Sequence, residues 1–309
     1  MSQSKFSLAD LLTLLGSLGF GFFCFLSINF LTLGDTFTSL IQASVITLIL
    51  GGLAFGLRLL KRARGSFKTC IILEFVLCGL FLLSAYAATF PFSHYFSVYV
   101  QKGDIQQKIL LNVEQAEGLY ADYDGYVDTR EFLYKEDLKA IVGAEDPNPG
   151  PYIECGFVSG INGSNQINHK VFILSTKLKP SNYSSINEAN LNWLNESKGY
   201  VTNWSPLGIV EVVNTLGMEI SSWKAQLISF SIFRAQCEAE GTPDFEPQLT
   251  LDTVSNGFSV LKSPKPLSLV LAIGFYVIML LSYFVSKRDF KYSGLKVMFG
   301  TVGVKDNEL

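Results

Sequence analysis

Apolar and polar positions in this chain are organised on two length scales. Four apolar stretches, residues 8–33, 37–60, 70–92 and 266–285, are almost free of charge. Each offers about 20 residues, enough to cross a hydrocarbon core of about 30 Å as a helix. Between the third and fourth lies a polar segment, 95–265, in which apolar residues recur singly. Leu110, Val113, Ala116, Leu119, Tyr120, Tyr123, Val127, Leu133, Tyr134, Leu138 and Ile141 follow steps of three and four. That period predicts a helix over 104–142, extending the third stretch past Pro91 as a stalk. Prolines and a glycine at 147–151 end it. Two runs rich in β-branched and aromatic residues, 152–158 and 170–177, predict short strands, and a third is expected at 248–251. Ser205 followed by Pro206 is an N-cap and first-turn pair. The stripe Ile209, Val212, Val213, Leu216, Ile220, Trp223, Leu227, Ile228 carries the helix it opens to about Arg234.

The expected fold class is mainly α: four transmembrane helices and, between the third and fourth, a largely helical extracytoplasmic domain with a small β element. The domains expected are three membrane helices over 1–94, the outer domain over 95–265, a fourth membrane helix over 266–286 and a short tail over 287–309.

Composition agrees, with a mean hydropathy of +0.31 and 25 Phe among 309 residues. Charge then assigns the sides. Arg58, Lys61, Arg62, Arg64 and Lys68 separate the second and third stretches with no acid among them, and Lys287, Arg288, Lys291 and Lys296 follow the fourth against Asp289 alone. By the positive-inside rule both segments are cytoplasmic. Both termini are then inside, the 34–38 turn and 95–265 are outside, and the chain is a multi-pass protein of the cell membrane. The first stretch is longer than the apolar region of a signal peptide and has no small-residue cleavage site, so it is expected to stay as a helix.

Within the spans, Gly52 and Gly56 with Gly51, and Ser17 with Gly21, are the small-residue pairs through which membrane helices approach closely. Glu74 is the acid well inside a span. It is either an ion or proton site or a hydrogen-bonding group facing the bundle or the interface. The Gly-rich run 50–56, the basic turn from Lys61 to Arg64, Leu73-Glu74 with Gly79, and one large outer loop between the third and fourth spans resemble tetraspanins. That resemblance implies a membrane scaffold that organises partner proteins. The family's Cys-Cys-Gly is absent, and the outer segment has only Glu154-Cys155-Gly156.

The outer segment carries 21 acidic against 13 basic side chains, a net charge of −8, which disfavours nucleic acid. Asp122, Asp124, Gly125, Asp128 and Glu131 fall at EF-hand spacing when Tyr120 takes the first position, where a ligand acid is normal. The same residues also read as the acidic face of the 104–142 helix. Cys155 and Cys237 are the outer cysteines, either disulfide-bonded or free. Asn162, Asn182, Asn195 and Asn203 each stand in an Asn-x-Ser acceptor pattern. Only His94 and His169 are available for acid–base or metal chemistry, and HExxH, Walker, GxSxG and GxGxxG motifs are absent.

No residue is therefore nominated as catalytic, cofactor-binding or metal-ligating, and no cofactor is expected. The function expected is a non-enzymatic membrane scaffold presenting the acidic outer domain for protein interaction. The alternatives are a sensor or receptor subunit that binds a small ligand or Ca²⁺ through 104–142, and a transporter or channel component. The partners expected are the lipid bilayer, other membrane proteins and a second copy of the chain, with no nucleic acid.

Overall fold

The computed structural model describes residues 7–62, 67–144 and 149–287. Arg64, the side chain of Lys68, and Arg288, Asp289, Lys291 and Lys296 lie outside the described residues, as does most of the expected 287–309 tail. The chain divides into two compact units, 1–103 with 255–309, and 104–254.

The first unit is apolar. Its helices α1 (Leu8–Leu31), α2 (Thr36–Arg62) and α3 (Phe67–Val100) are long and apolar enough to cross a membrane. α3 runs through Pro91, which forgoes a single backbone hydrogen bond. The fourth apolar stretch forms α10 (Pro266–Met279) and α11 (Leu281–Val285), which meet at Leu280, and a single turn, α9 (Asn256–Ser259), precedes them. Aromatic rings fill the centre. Phe20 stacks on Phe92 with ring centroids 4.6 Å apart, and Phe81 meets Tyr276 edge-on. The Tyr276 hydroxyl donates to the Ala85 carbonyl at 2.6 Å. Leu15, Leu18, Phe22, Leu48, Leu82, Leu83, Val270 and Ile273 are exposed on the outside, an arrangement suited to a lipid solvent.

Small residues permit the close approaches. A Cβ on Gly21 would sit 1.9 Å from Thr47 Oγ1, and one on Gly16 would sit 2.7 Å from an Ile278 methyl. Gly51 faces Ser17 and Gly56 faces Leu77, whereas nothing lies within 4 Å of a Cβ on Gly52. Within the chain, Gly56 alone of the Gly52–Gly56 pair faces another helix.

The second unit is built on α4 (Lys102–Gly143), with α5 (Pro149–Glu154), α6 (Gly163–Leu178), α7 (Tyr183–Thr202) and α8 (Pro206–Ser231). The α4 helix buries Ile109, Val113, Ala116, Leu119, Tyr123, Val127, Tyr134 and Leu138, close to the expected stripe. Leu133 is exposed instead. The α8 helix begins at Pro206 with Ser205 as its N-cap, as its sequence predicts.

The small β element is not formed, since no strand occurs among the described residues. The 170–177 run lies inside α6, which buries Ile167, Leu174 and Leu178 on one helical face. Of its β-branched residues, Ile173 and Thr176 are exposed, and Leu174 is the residue of the run that this face buries. The 152–158 run is cut by Gly156, whose φ of +70° places it in the left-handed region. At 248–251 the chain has no regular secondary structure.

The long segment after α8 is irregular, and side chains satisfy its backbone. Asn112 donates to the Asp252 carbonyl and accepts from the Asp252 N–H, both at 2.9 Å. Tyr126 donates to the Pro243 carbonyl, and Phe245 packs edge-on against Tyr123.

Candidate functional site

Two polar constellations stand out, one in each unit. In the apolar unit, Ser7 caps α1 and Asp10 closes a capping box, its Oδ2 accepting from the Ser7 N–H at 2.7 Å. The same oxygen lies 2.6 Å from Arg58 Nη2, and both side chains are only 3% exposed. Ser282 of α11 donates to the other carboxylate oxygen. Beside this ion pair, Lys61 Nζ donates to the Tyr283 carbonyl at 2.8 Å and lies over the Tyr283 ring, while the Tyr283 hydroxyl donates to Glu74 Oε1 at 2.5 Å. Glu74 thus takes the bundle-facing alternative. The ends of α1, α2, α3 and α11 are tied by one another's polar groups, where a lone buried charge would be costly.

Sequence reasoning assigned Arg58 to the basic turn and passed over Asp10. Yet the pairs Asp10–Arg58, Ser17–Gly51 and Gly21–Thr47 are all centred on Gly34, the turn of an antiparallel helix hairpin. Register about that turn is the signal that would have found the ion pair.

A cleft of about 360 Å³ opens beside the ion pair between α1 and α2, lined by Thr13, Ser17, Leu18, Thr47, Leu48, Gly52, Phe55 and others. Its hydroxyls are occupied. Ser17 donates to the Thr13 carbonyl at 2.9 Å and Thr47 to the Ala43 carbonyl at 2.8 Å. The walls therefore offer apolar surface without spare donors, which suits an apolar chain rather than a polar substrate.

In the polar unit, Arg130 occupies the α4 stripe between Val127 and Tyr134 with its side chain 2% exposed. Its Nε reaches Glu238 Oε1 at 2.5 Å and its Nη2 reaches Oε2 at 2.9 Å, a bidentate pair. Nη1 donates to Tyr126 and to the Ser231 carbonyl. Burial opposes the charge, but Glu238 holds the guanidinium above its ordinary pKa. Nearby, burial and then the field of Glu238 push the Tyr134 phenol up to about 12. Burial, then the Asp124 carboxylate to which it donates at 2.9 Å, raises Tyr183 well above the usual phenol range. Cys155 and Cys237 form a disulfide across a sequence separation of 82, with Cα atoms 5.6 Å apart. Cys24, Cys70 and Cys78 of the apolar unit are free.

The EF-hand-spaced residues do not converge. Asp122, Asp124, Gly125, Asp128 and Glu131 all lie within continuous α4, and Lys179 neutralises Asp124 at 2.8 Å and approaches Asp128 at 3.9 Å. No cluster of His, Cys, Asp and Glu able to hold a metal occurs among the described residues.

No protein-family model matches the chain, and comparison with curated proteins and with solved structures finds no match.

Proposed function

We propose that the chain is a non-enzymatic, four-pass membrane organiser of tetraspanin-like layout. Its fourth crossing is made by α10 with α11, and its polar unit is presented outside the cytoplasm to other membrane proteins. The observation that carries this is the division of the chain. One unit exposes apolar side chains around a polar-tied helix bundle, and the other is acidic, polar and disulfide-linked, as an oxidising compartment favours. The α10 helix has 14 residues and covers about 21 Å, so a fourth crossing of about 30 Å needs α11 to continue it past Leu280. Each unit also holds a buried ion pair of its own, Asp10 with Arg58 and Arg130 with Glu238, which supports structural roles for these charges.

The cleft between α1 and α2 favours a second reading, a receptor subunit that takes an apolar molecule from the bilayer. The test of the organiser is crosslinking in intact native membranes followed by mass spectrometry. Crosslinks from lysines of 104–254 to a small, reproducible set of membrane proteins are expected. A chain that stays at its own monomer mass, both crosslinked and in native electrophoresis, would overturn the proposal.

A further inference from the structure

We propose that Asn162 and Asn182 are acceptors for N-linked oligosaccharide when the chain enters a secretory membrane; this rests on 104–254 facing the lumen, as in the function proposed above. The Asn-x-Ser/Thr pattern occurs four times in the chain, at Asn162, Asn182, Asn195 and Asn203, and every instance falls within the polar unit. They therefore share a unit with the Cys155–Cys237 disulfide.

The fold treats these asparagines differently from the others it uses. Asn112 and Asn190 spend their amide nitrogens on the Asp252 carbonyl and the Tyr120 hydroxyl, and neither stands in the pattern. All four acceptor-pattern asparagines are exposed. The Asn162 side-chain oxygen accepts from Ser164 N–H at 2.9 Å and Asn165 N–H at 3.4 Å, which leaves its amide nitrogen turned to solvent.

The four sites are not equivalent. Asn162 and Asn182 are the N-caps of α6 and α7, where the carbonyl accepts the first helical hydrogen bond, and the hydroxyl residues Ser164 and Ser184 are exposed. Asn195 lies in the middle of α7, and Ser197, whose hydroxyl completes its pattern, is 2% exposed. Engaging it requires unwinding α7. Ser205 of the Asn203 site precedes Pro206, which confines its backbone.

The chemistry is a group transfer catalysed by the host's transferase with a polyprenyl-pyrophosphate-linked oligosaccharide as donor. The asparagine amide nitrogen attacks the anomeric carbon of the donor. An N–C bond forms as the C–O bond to pyrophosphate breaks, the amide proton passes to a base, and the polyprenyl pyrophosphate leaves. The product is bulky and hydrophilic, so it keeps the α6–α7 caps in solvent and leaves protein contacts to other faces.

The experiment is translation of the full chain into sealed microsomes, with peptide N-glycosidase digestion and, in parallel, protease added outside. The expected result is a mobility shift reversed by the glycosidase, with one step lost on Asn162→Gln, one on Asn182→Gln and none on Asn195→Gln, and with 104–254 protected from protease. A protected unit that shows no shift, or a shift removed by Asn195→Gln alone, overturns the acceptor assignment and leaves the orientation standing. Digestion of the unit from outside overturns the orientation, and the glycan assignment with it.

Discussion

Arg130 shows how a single side chain carries structural weight that its chemistry conceals. It sits where the α4 stripe calls for an apolar residue, and it joins Glu238, Tyr126 and the Ser231 carbonyl. Its worth lies less in the attraction itself than in the cost of leaving Glu238 charged and buried without a partner. Arg130→Ala is therefore expected to lower the stability of the polar unit by about 3–5 kcal/mol, read as a fall in its melting temperature. The paired Arg130→Met, Glu238→Leu variant should recover much of the loss, because no buried charge is then left alone. A single variant as stable as the parent would show that the pair contributes nothing. The gap at position 130 in an otherwise regular stripe was visible in the sequence. Its acid, more than a hundred residues later in an irregular segment, was not, since nothing local in the sequence fixes that juxtaposition.

At the scale of elements, periodicity read over long windows gave reliable helices and read over short windows gave false strands. The stripes of 104–142 and 205–234 extend over several turns, and both segments fold as α4 and α8. The eight residues of 170–177 were too few to reveal that Ile167, Leu174 and Leu178 share a helical face. The α7 helix went unpredicted because its Asn- and Ser-rich sequence has weak helix propensity. Its stability comes from burying Tyr183, Leu194 and Val201. In the apolar unit the decisive element contact is α1 against α2 at Gly21, where an added Cβ would meet Thr47 Oγ1 at 1.9 Å. Gly21→Ala should destabilise the bundle by about 1–3 kcal/mol, the usual cost of overpacking, and Thr47→Ala in the same chain should relieve most of it. Unfolding in detergent micelles by graded denaturant measures both. Equal losses in the single and double variants would mean that the two residues do not meet.

For the whole molecule, the two units should respond separately to the loss of the disulfide. Cys155 and Cys237 close a long loop of the polar unit, and the apolar unit holds only free thiols. By the loop-entropy estimate the link contributes about 4–5 kcal/mol. The Cys155→Ala, Cys237→Ala variant should accordingly show a lowered transition for the polar unit and an unchanged one for the apolar bundle, resolved by calorimetry in micelles. A parallel fall in both transitions would show that the units unfold as one. The sequence by itself determined that the chain has long apolar helices, that a polar and mainly helical segment interrupts them, and, to within a few residues, where α1, α2, α4 and α8 begin and end. Each of these depends on local spacing, propensity and hydropathy, which neighbouring residues carry together. Only the tertiary structure decided that Asp10 pairs with Arg58, that Glu74 accepts from Tyr283, that Cys155 joins Cys237 and that the EF-hand-spaced acids stay apart on a helix. Those outcomes depend on packing between distant elements, where the cost of burying an unpaired polar group selects the partner.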